Sequence, residues 1–336
     1  MKCDSMNIGV SIVIVTYNGG DKLLPTLKHL AKQKNIDFNL EVLLVDNNSS
    51  DNTSEKAKTF WSQLKAPFPL RIVLEPTPGT MYARKKGIES AQYRYMLYCD
   101  DDNWLHEDYV KTAFSIISSD PQIAAVGGKG CMEYEQGFTP PTWIGPYEKN
   151  YGTTAQGKED GDTTYSKGCL YTAGAILDRT WLHKLYTMGF QSSLQGRDGK
   201  TLVAGEDTEL TYALKLIGAK LYYSSKMIFQ HYMPKERINW VYLKRLWESF
   251  GYSNAVISPY NVYFKKKNTP KLSRLLFRNM KEITRLTLRK YKHKMGEGDH
   301  TVLELEWKKG ELRALIFGRK KYRLAQKTIK TLHQNI

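Results

Sequence analysis

The chain is poor in cysteine. Cys3, Cys99, Cys131 and Cys169 are all it holds, and no two stand in a CxxC spacing. That argues against a structural zinc site and a disulfide-stapled scaffold, and fits a reducing compartment. Long apolar runs are missing too. Val10 to Val15 falls far short of the ~20 residues a spanning helix needs, and the N-terminus lacks a signal-peptide layout. The expectation is a cytoplasmic protein. No GxGxxG follows the first apolar run, and neither GxxxxGK[ST] nor GxSxG occurs. A dinucleotide oxidoreductase, a P-loop enzyme and an α/β-hydrolase are thereby disfavoured. Acids are scarce at one end: residues 261–336 hold 21 Lys and Arg against 6 Asp and Glu, whereas residues 1–260 hold 29 against 28. Almost the whole net charge of +16 therefore sits in the last stretch, which points to an anionic partner there: membrane surface, nucleic acid or acidic substrate.

What is present is ordinary in bulk. The 336 residues are 41% hydrophobic and 25% charged, enough for one large or two modest globular domains. Tyr95-Met96-Leu97-Tyr98-Cys99 is long enough for one buried strand and ends in Asp100-Asp101-Asp102. Three adjacent carboxylates repel one another unless a hard cation such as Mg²⁺ or Mn²⁺ joins them. At the carboxyl end of a strand in an open α/β sheet they would occupy the usual ligand position. Strand alternation would put Asp100 and Asp102 on one side and Asp101 on the other. The alternative is an acidic loop capping a helix that starts near Glu107.

Similar signals recur upstream. Val10 to Val15, Leu40 to Val45 and Leu70 to Leu74 read as buried strands, ending at Thr16-Tyr17-Asn18, Asp46-Asn47-Asn48 and Pro76-Thr77-Pro78-Gly79. Helical spacing follows each: Leu23, Leu24, Leu27 and Leu30; Ala57, Phe60, Trp61 and Leu64; Ala83, Ile88 and Ala91. The alternation predicts βαβ units in a parallel sheet. Residues 128–168 lose periodicity and read as long loops. Gly168 to Leu177 reads as a strand and Trp181 to Leu185 as a helix. The polar loop at 195–200 leads to a helix through Leu210, Ala213, Leu214 and Ile217, then short strands at Leu221 to Tyr223 and Met227 to Phe229.

Several residues could carry chemistry, each beside a plainer role. Asp46 either accepts from a base or ribose, or caps its Asn/Ser-rich turn. Glu206 and Asp207 either supply a general base or favour a helix N-terminus. Arg84, Lys85 and Lys86 either meet phosphate or form a solvated basic face. His231 either ligates a cation or is structural, and Trp104 and Trp143 either stack on a sugar or pack. In the tail, Leu272, Leu275, Leu276, Ile283 and Leu286 recur at helical spacing, widened by Phe277 and Met280, among basic residues. Such a helix either lies on an anionic membrane or packs on the rest of the chain.

The ordered set Thr16-Tyr17-Asn18, Asp46-Asn47-Asn48-Ser49-Ser50-Asp51, Gly79-x4-Arg84-x2-Gly87-Ile88, Asp100-Asp101-Asp102-Asn103 and Gly205-Glu206-Asp207 resembles the inverting nucleotide-sugar transferases of glycosyltransferase family 2. The resemblance covers roughly residues 8–235. It implies a GT-A fold: a Rossmann-like, mostly parallel α/β sheet flanked by helices. The expected organisation is a catalytic domain at 1–235, with a nucleotide-sugar half at about 8–127 and an acceptor half at about 128–235. A basic, mainly helical C-terminal region occupies 236–336.

It further implies that Thr16, Tyr17, Asp46, Arg84, Asp100 and Asp101 hold the nucleotide. Asp100 and Asp102 match the DxD motif for Mn²⁺ or Mg²⁺, with His231 as a third ligand. Asp207, beside Glu206, matches the base. Where many members carry Asn after the arginine, this chain has Lys85. The implied activity moves a sugar, from a UDP-sugar donor, to a glycan or lipid-linked acceptor in surface polysaccharide synthesis. Peripheral contact with the inner membrane face would go through the basic tail. The rival readings are a sugar-phosphate nucleotidyltransferase and a non-enzymatic nucleic-acid-binding protein. The first lacks its arginine-containing loop after strand one; the second leaves the acids unexplained.

Overall fold

The structure is a computed structural model that describes residues 6–194, 196, 204–266, 268 and 270–336. The 195–200 loop singled out above, apart from Gly196, and Cys3 lie outside the described residues. In chain order the elements are β1 (Asn7–Thr16), α1 (Leu23–Ala31), β2 (Leu40–Asp46), α2 (Thr53–Leu64), β3 (Leu70–Leu74), α3 (Thr80–Ser90), β4 (Tyr93–Asp100), β5 (Asn103–Leu105), α4 (Tyr109–Ser119) and β6 (Ile123–Tyr134). Then come β7 (Gly161–Asp162), β8 (Ile176–Asp178), α5 (Arg179–Thr187), α6 (Glu206–Leu216) and β9 (Lys220–Met233), followed by α7 (Trp240–Phe264), α8 (Leu272–Lys292), α9 (His300–Phe317) and α10 (Arg319–Gln334).

Among the described residues nine strands form one sheet in the order β3-β2-β1-β4-β8-β6-β9-β5, with β7 on β9. The half formed by β3, β2, β1 and β4 is parallel, as the β-branched runs predict. The chain winds outward from β1 through β2 and β3, then returns to place β4 on β1's other side. That reversal opens a crevice beyond the carboxyl ends of β1 and β4. Thr16 pairs with Asp46 and Val15 with Asp100 in register, so the strand ends singled out above share one rim.

Strand alternation divides the core between two faces. Val10, Ile12 and Ile14 pack with Leu23, Leu27 and Leu30 of α1 and with α2 and α4. Val13, Leu43 and Val45 face the layer built from α3, α5, α6, α7 and α10. In that layer Ala325, Ile329 and Leu332 of α10 share a cluster with Leu182 and Leu185 of α5 and Leu214 of α6. The C-terminal helices are thus built into the same core as the sheet. Gly251 of α7 and Gly310 of α9 let these two helices touch backbone to backbone, since a Cβ at either would collide with the facing carbonyl.

The structure corrects some local expectations. Of Gly168–Leu177 only Ile176–Leu177 joins a strand, because β8 has three residues to pair with β4 and β6. The two short strands at 221–229 are parts of one strand, β9, whose pairing with β6 skips residues between Tyr223 and Ile228. Ser224 and Ser225 at that skip are held by Asp160 instead. Residues 128–134 extend β6, and Ile144, Tyr147 and Tyr151 from the supposed loop pack against α7 and α9.

Candidate active site

β4 stops at Asp100, and residues 101–102 turn sharply before β5 pairs antiparallel with β9. Alternation therefore does not govern Asp101 and Asp102, and both reach the same cation. Lys22 Nζ lies 2.6 Å from Asp101 and 3.5 Å from Asp102. Asp101 accepts from Thr16 Oγ1 at 2.8 Å, and its carbonyl accepts from Thr26 Oγ1 at 2.9 Å. Asp101, and Thr16 with it, is thus occupied in tying the acidic turn to β1 and α1.

Asp102 is almost fully buried and faces three cationic groups. The β5–β9 pairing sets Asn103 against His231, so His231 Nε2 comes 3.3 Å from Asp102 Oδ1. Arg237 Nη1 donates to Asp102 Oδ2 at 3.2 Å. Burial alone would raise the Asp102 carboxyl, but His231, Lys22 and Arg237 hold it well below the usual range. Burial likewise opposes the charge on His231, and Asp102 more than restores it.

The second acidic cluster belongs to α6, whose first turn follows Gly205 in the left-handed region (φ 103°). Arg84 of α3 donates to Glu206 Oε1 at 3.1 Å and lies 5.4 Å above the Tyr98 ring. Arg84 is buried, which disfavours its charge, yet Glu206, Asp100 and Asp207 together raise its pKa. Its charge is thus favoured by both acidic groups, though its direct contact is with Glu206. Asp207 accepts from the backbone N–H of Thr172 at 3.2 Å and of Thr208 at 2.8 Å. Two residues on, fully buried Glu209 accepts from Ser192, Ser193 and Leu194, anchoring that segment to α6.

The other residues singled out are placed as follows. Asp46 accepts from Ser49 N at 2.9 Å and Ser54 Oγ at 2.5 Å, as a turn cap does. Tyr17 is 61% exposed. Trp104 is sandwiched between His29 and Tyr232, and Trp143 packs edge-on against Trp240, so both are packing residues here. Lys85 lies 3.9 Å from Glu89 on an exposed face. The sequence reading missed Lys22 and Arg237. Their only signal was a basic residue shortly after a strand end.

Of the expected ligands Asp100, Asp102 and His231, two stand in contact. Among the described residues no group of three His, Cys, Asp or Glu is gathered closely enough to hold an ion. What stands together is the pair Asp102 and His231, 3.3 Å apart, while Asp100 at the end of β4 adds to the negative charge that His231 meets. A carboxylate beside an imidazole still suits Mn²⁺, and His231 Nδ1 is buried without a hydrogen bond. The pair therefore fits as part of a coordination shell.

A family model described as glycosyl transferase family 2 matches residues 11–185. Among curated proteins, the chain is 24% identical over 238 residues to the glycosyltransferase GlyA of Streptococcus pneumoniae, covering 70% of this chain and 32% of that protein. It is 31% identical over 131 residues to the glycosyltransferase AglE of Haloferax volcanii, covering 39% and 42%. The matches thus span about a third to two fifths of these relatives' own length.

Two solved structures resemble it in fold. The mannosyltransferase PcManGT from Pyrobaculum calidifontis, in complex with GDP-Man and Mn²⁺, aligns with a TM-score of 0.53 at 15% identity, covering 97% of this chain and 74% of its own. GalNAc-T7 with UDP, GalNAc and Mn²⁺ aligns at 0.52 and 18% identity, covering 76% and 52%. The fold is GT-A.

Proposed function

Since the chain belongs to glycosyl transferase family 2, we propose that it moves a sugar from a nucleoside-diphosphate donor to an acceptor hydroxyl with inversion. The carrying observation is Arg84, which lies over the Tyr98 ring near the end of β4 and pairs with Glu206, beside Asp207 at the head of α6. It ties the donor-facing end of β4 to a carboxylate pair suited to proton abstraction. The structural relatives carry UDP and GDP-Man, which supports a nucleoside-diphosphate sugar, with uridine as the first base to test. The acceptor class proposed is a glycan or lipid-linked glycan of a surface polysaccharide. The cytoplasmic location stays part of this proposal.

In this reading Asp207 takes the proton from the attacking hydroxyl. The Thr172 and Thr208 N–H groups hold its carboxylate in place. Lys22 and Arg237, clustered on Asp102, offset the charge that gathers on the departing diphosphate. Asp102 and His231 would hold a divalent cation, which when bound acts as a Lewis acid on that leaving group. A single displacement needs no covalent nucleophile, and none of the residues gathered here is posed as one. Release of nucleoside diphosphate from a panel of nucleotide sugars tests the proposal. Release from at least one sugar, lost in Asp207→Asn, is the expected result. No release from any donor, with or without Mn²⁺ and candidate glycan acceptors, overturns it.

A further inference from the structure

Helix α8 has two apolar stripes, and only one is covered. On the side that packs on α9, Leu286 is buried and Leu275, Leu276 and Ile283 are half-buried, and Asn279 donates to Glu311 of α9 at 2.8 Å. The stripe expected from helical spacing is therefore largely packing. On the opposite side Phe277 is 73% exposed, Met280 58%, Leu288 66% and Tyr291 74%. At 3.6 residues per turn these four and Thr284 fall within an arc of about 80° along the helix. Directly beside it, in a further arc of about 80°, run Arg274, Arg278, Lys281, Arg285, Arg289 and Lys292, all exposed. Among the described residues Arg285 alone of these six is held in an ion pair, with Glu282 at 2.7 Å.

We propose that this outer face of α8 docks the protein flat on an anionic lipid surface. The apolar arc would enter the headgroup–acyl boundary while the basic row meets lipid phosphates. An anionic bilayer matches the face in both respects. A nucleic-acid site would use the basic row and leave a continuous four-residue apolar strip in water. The helix is held in place from behind by α9, so docking needs no refolding. No helix among the described residues is long and apolar enough to cross a membrane, and a basic amphipathic helix lying in the interface plane needs no such length. The inference concerns only this face and is independent of the transfer reading.

The test is co-sedimentation of the full chain with vesicles, without substrate. The protein should pellet with phosphatidylcholine–phosphatidylglycerol vesicles at low salt and stay in solution with phosphatidylcholine alone. F277E/L288E should weaken partition roughly tenfold or more, since it replaces two of the four exposed apolar side chains with charges. R278E/K281E should weaken it comparably, as each basic residue near such a surface contributes roughly fivefold. Both variants change exposed side chains, and matched thermal unfolding would establish that they fold. Wild type remaining in the supernatant with anionic vesicles overturns the proposal. So does unchanged pelleting of folded F277E/L288E, or tight duplex-DNA binding in place of vesicle binding.

Discussion

Arg84 of α3 donates to Glu206 at the head of α6, bridging elements that are 122 residues apart in the chain. Both side chains are mostly buried, so the contact is part of the molecule's frame as well as of its candidate site. Arg84→Ala should leave Glu206 without this cation in a poor solvent and cost about 3 kcal/mol. Urea unfolding of the single and double Ala variants would measure the coupling. Additive losses would show that the pair contributes nothing as a pair.

Asp207→Asn keeps an acceptor for the Thr172 and Thr208 N–H groups while removing the proton acceptor. Turnover should fall about 10²–10⁴-fold with donor KM little changed. Steady-state kinetics on the best donor would read this. Should Glu206→Gln be crippled and Asp207→Asn active, the two roles are exchanged.

Asp102→Ala should abolish transfer and weaken Mn²⁺-dependent donor binding, because Asp102 and His231 are the donors that stand together. Calorimetric titration of donor with and without Mn²⁺ checks the binding half. Transfer at full rate in excess chelator would exclude a metal role. Lys22 and Arg237 would then be the cations serving the diphosphate.

Glu209 gives a pH signature. Burial raises its carboxyl above the usual 4.5, against the opposing pull of the Ser192, Ser193 and Leu194 donors. The folded state thus holds this proton more tightly than the unfolded chain. Its contribution to stability is largest below the unfolded value and falls as pH rises through the folded one. Glu209→Gln should flatten that slope, measured as urea midpoints across the window just above pH 4.5. An unchanged slope would assign the dependence to other groups.

Much of this was legible because it is local. Val10 to Val15 and Leu40 to Val45 are buried on both faces, so their β-branched runs announce parallel strands. The acids that end β2 and β4 stand out against those runs. Lys22 and Arg237 were illegible for the opposite reason. Each meets the acidic turn across 79 or 135 residues, and nothing local in a lone lysine or arginine marks such a partner. The same holds for Gly168 to Leu177, whose composition suits a strand but which finds partners for only its last residues. Asp46 shows the converse: the Asn/Ser-rich turn around it already contained its cap.

The placement of α10 affects how this protein is made. Its Ala325, Ile329 and Leu332 complete the cluster that begins with Val13 on the first strand. On the ribosome, the parallel half of the sheet emerges long before the helix that covers one of its neighbouring layers. Until residues near 332 leave the exit tunnel, Leu182, Leu185 and Leu214 have no cover from that side. The nascent chain therefore carries an exposed apolar surface until that helix is made, the period in which a chaperone would engage it.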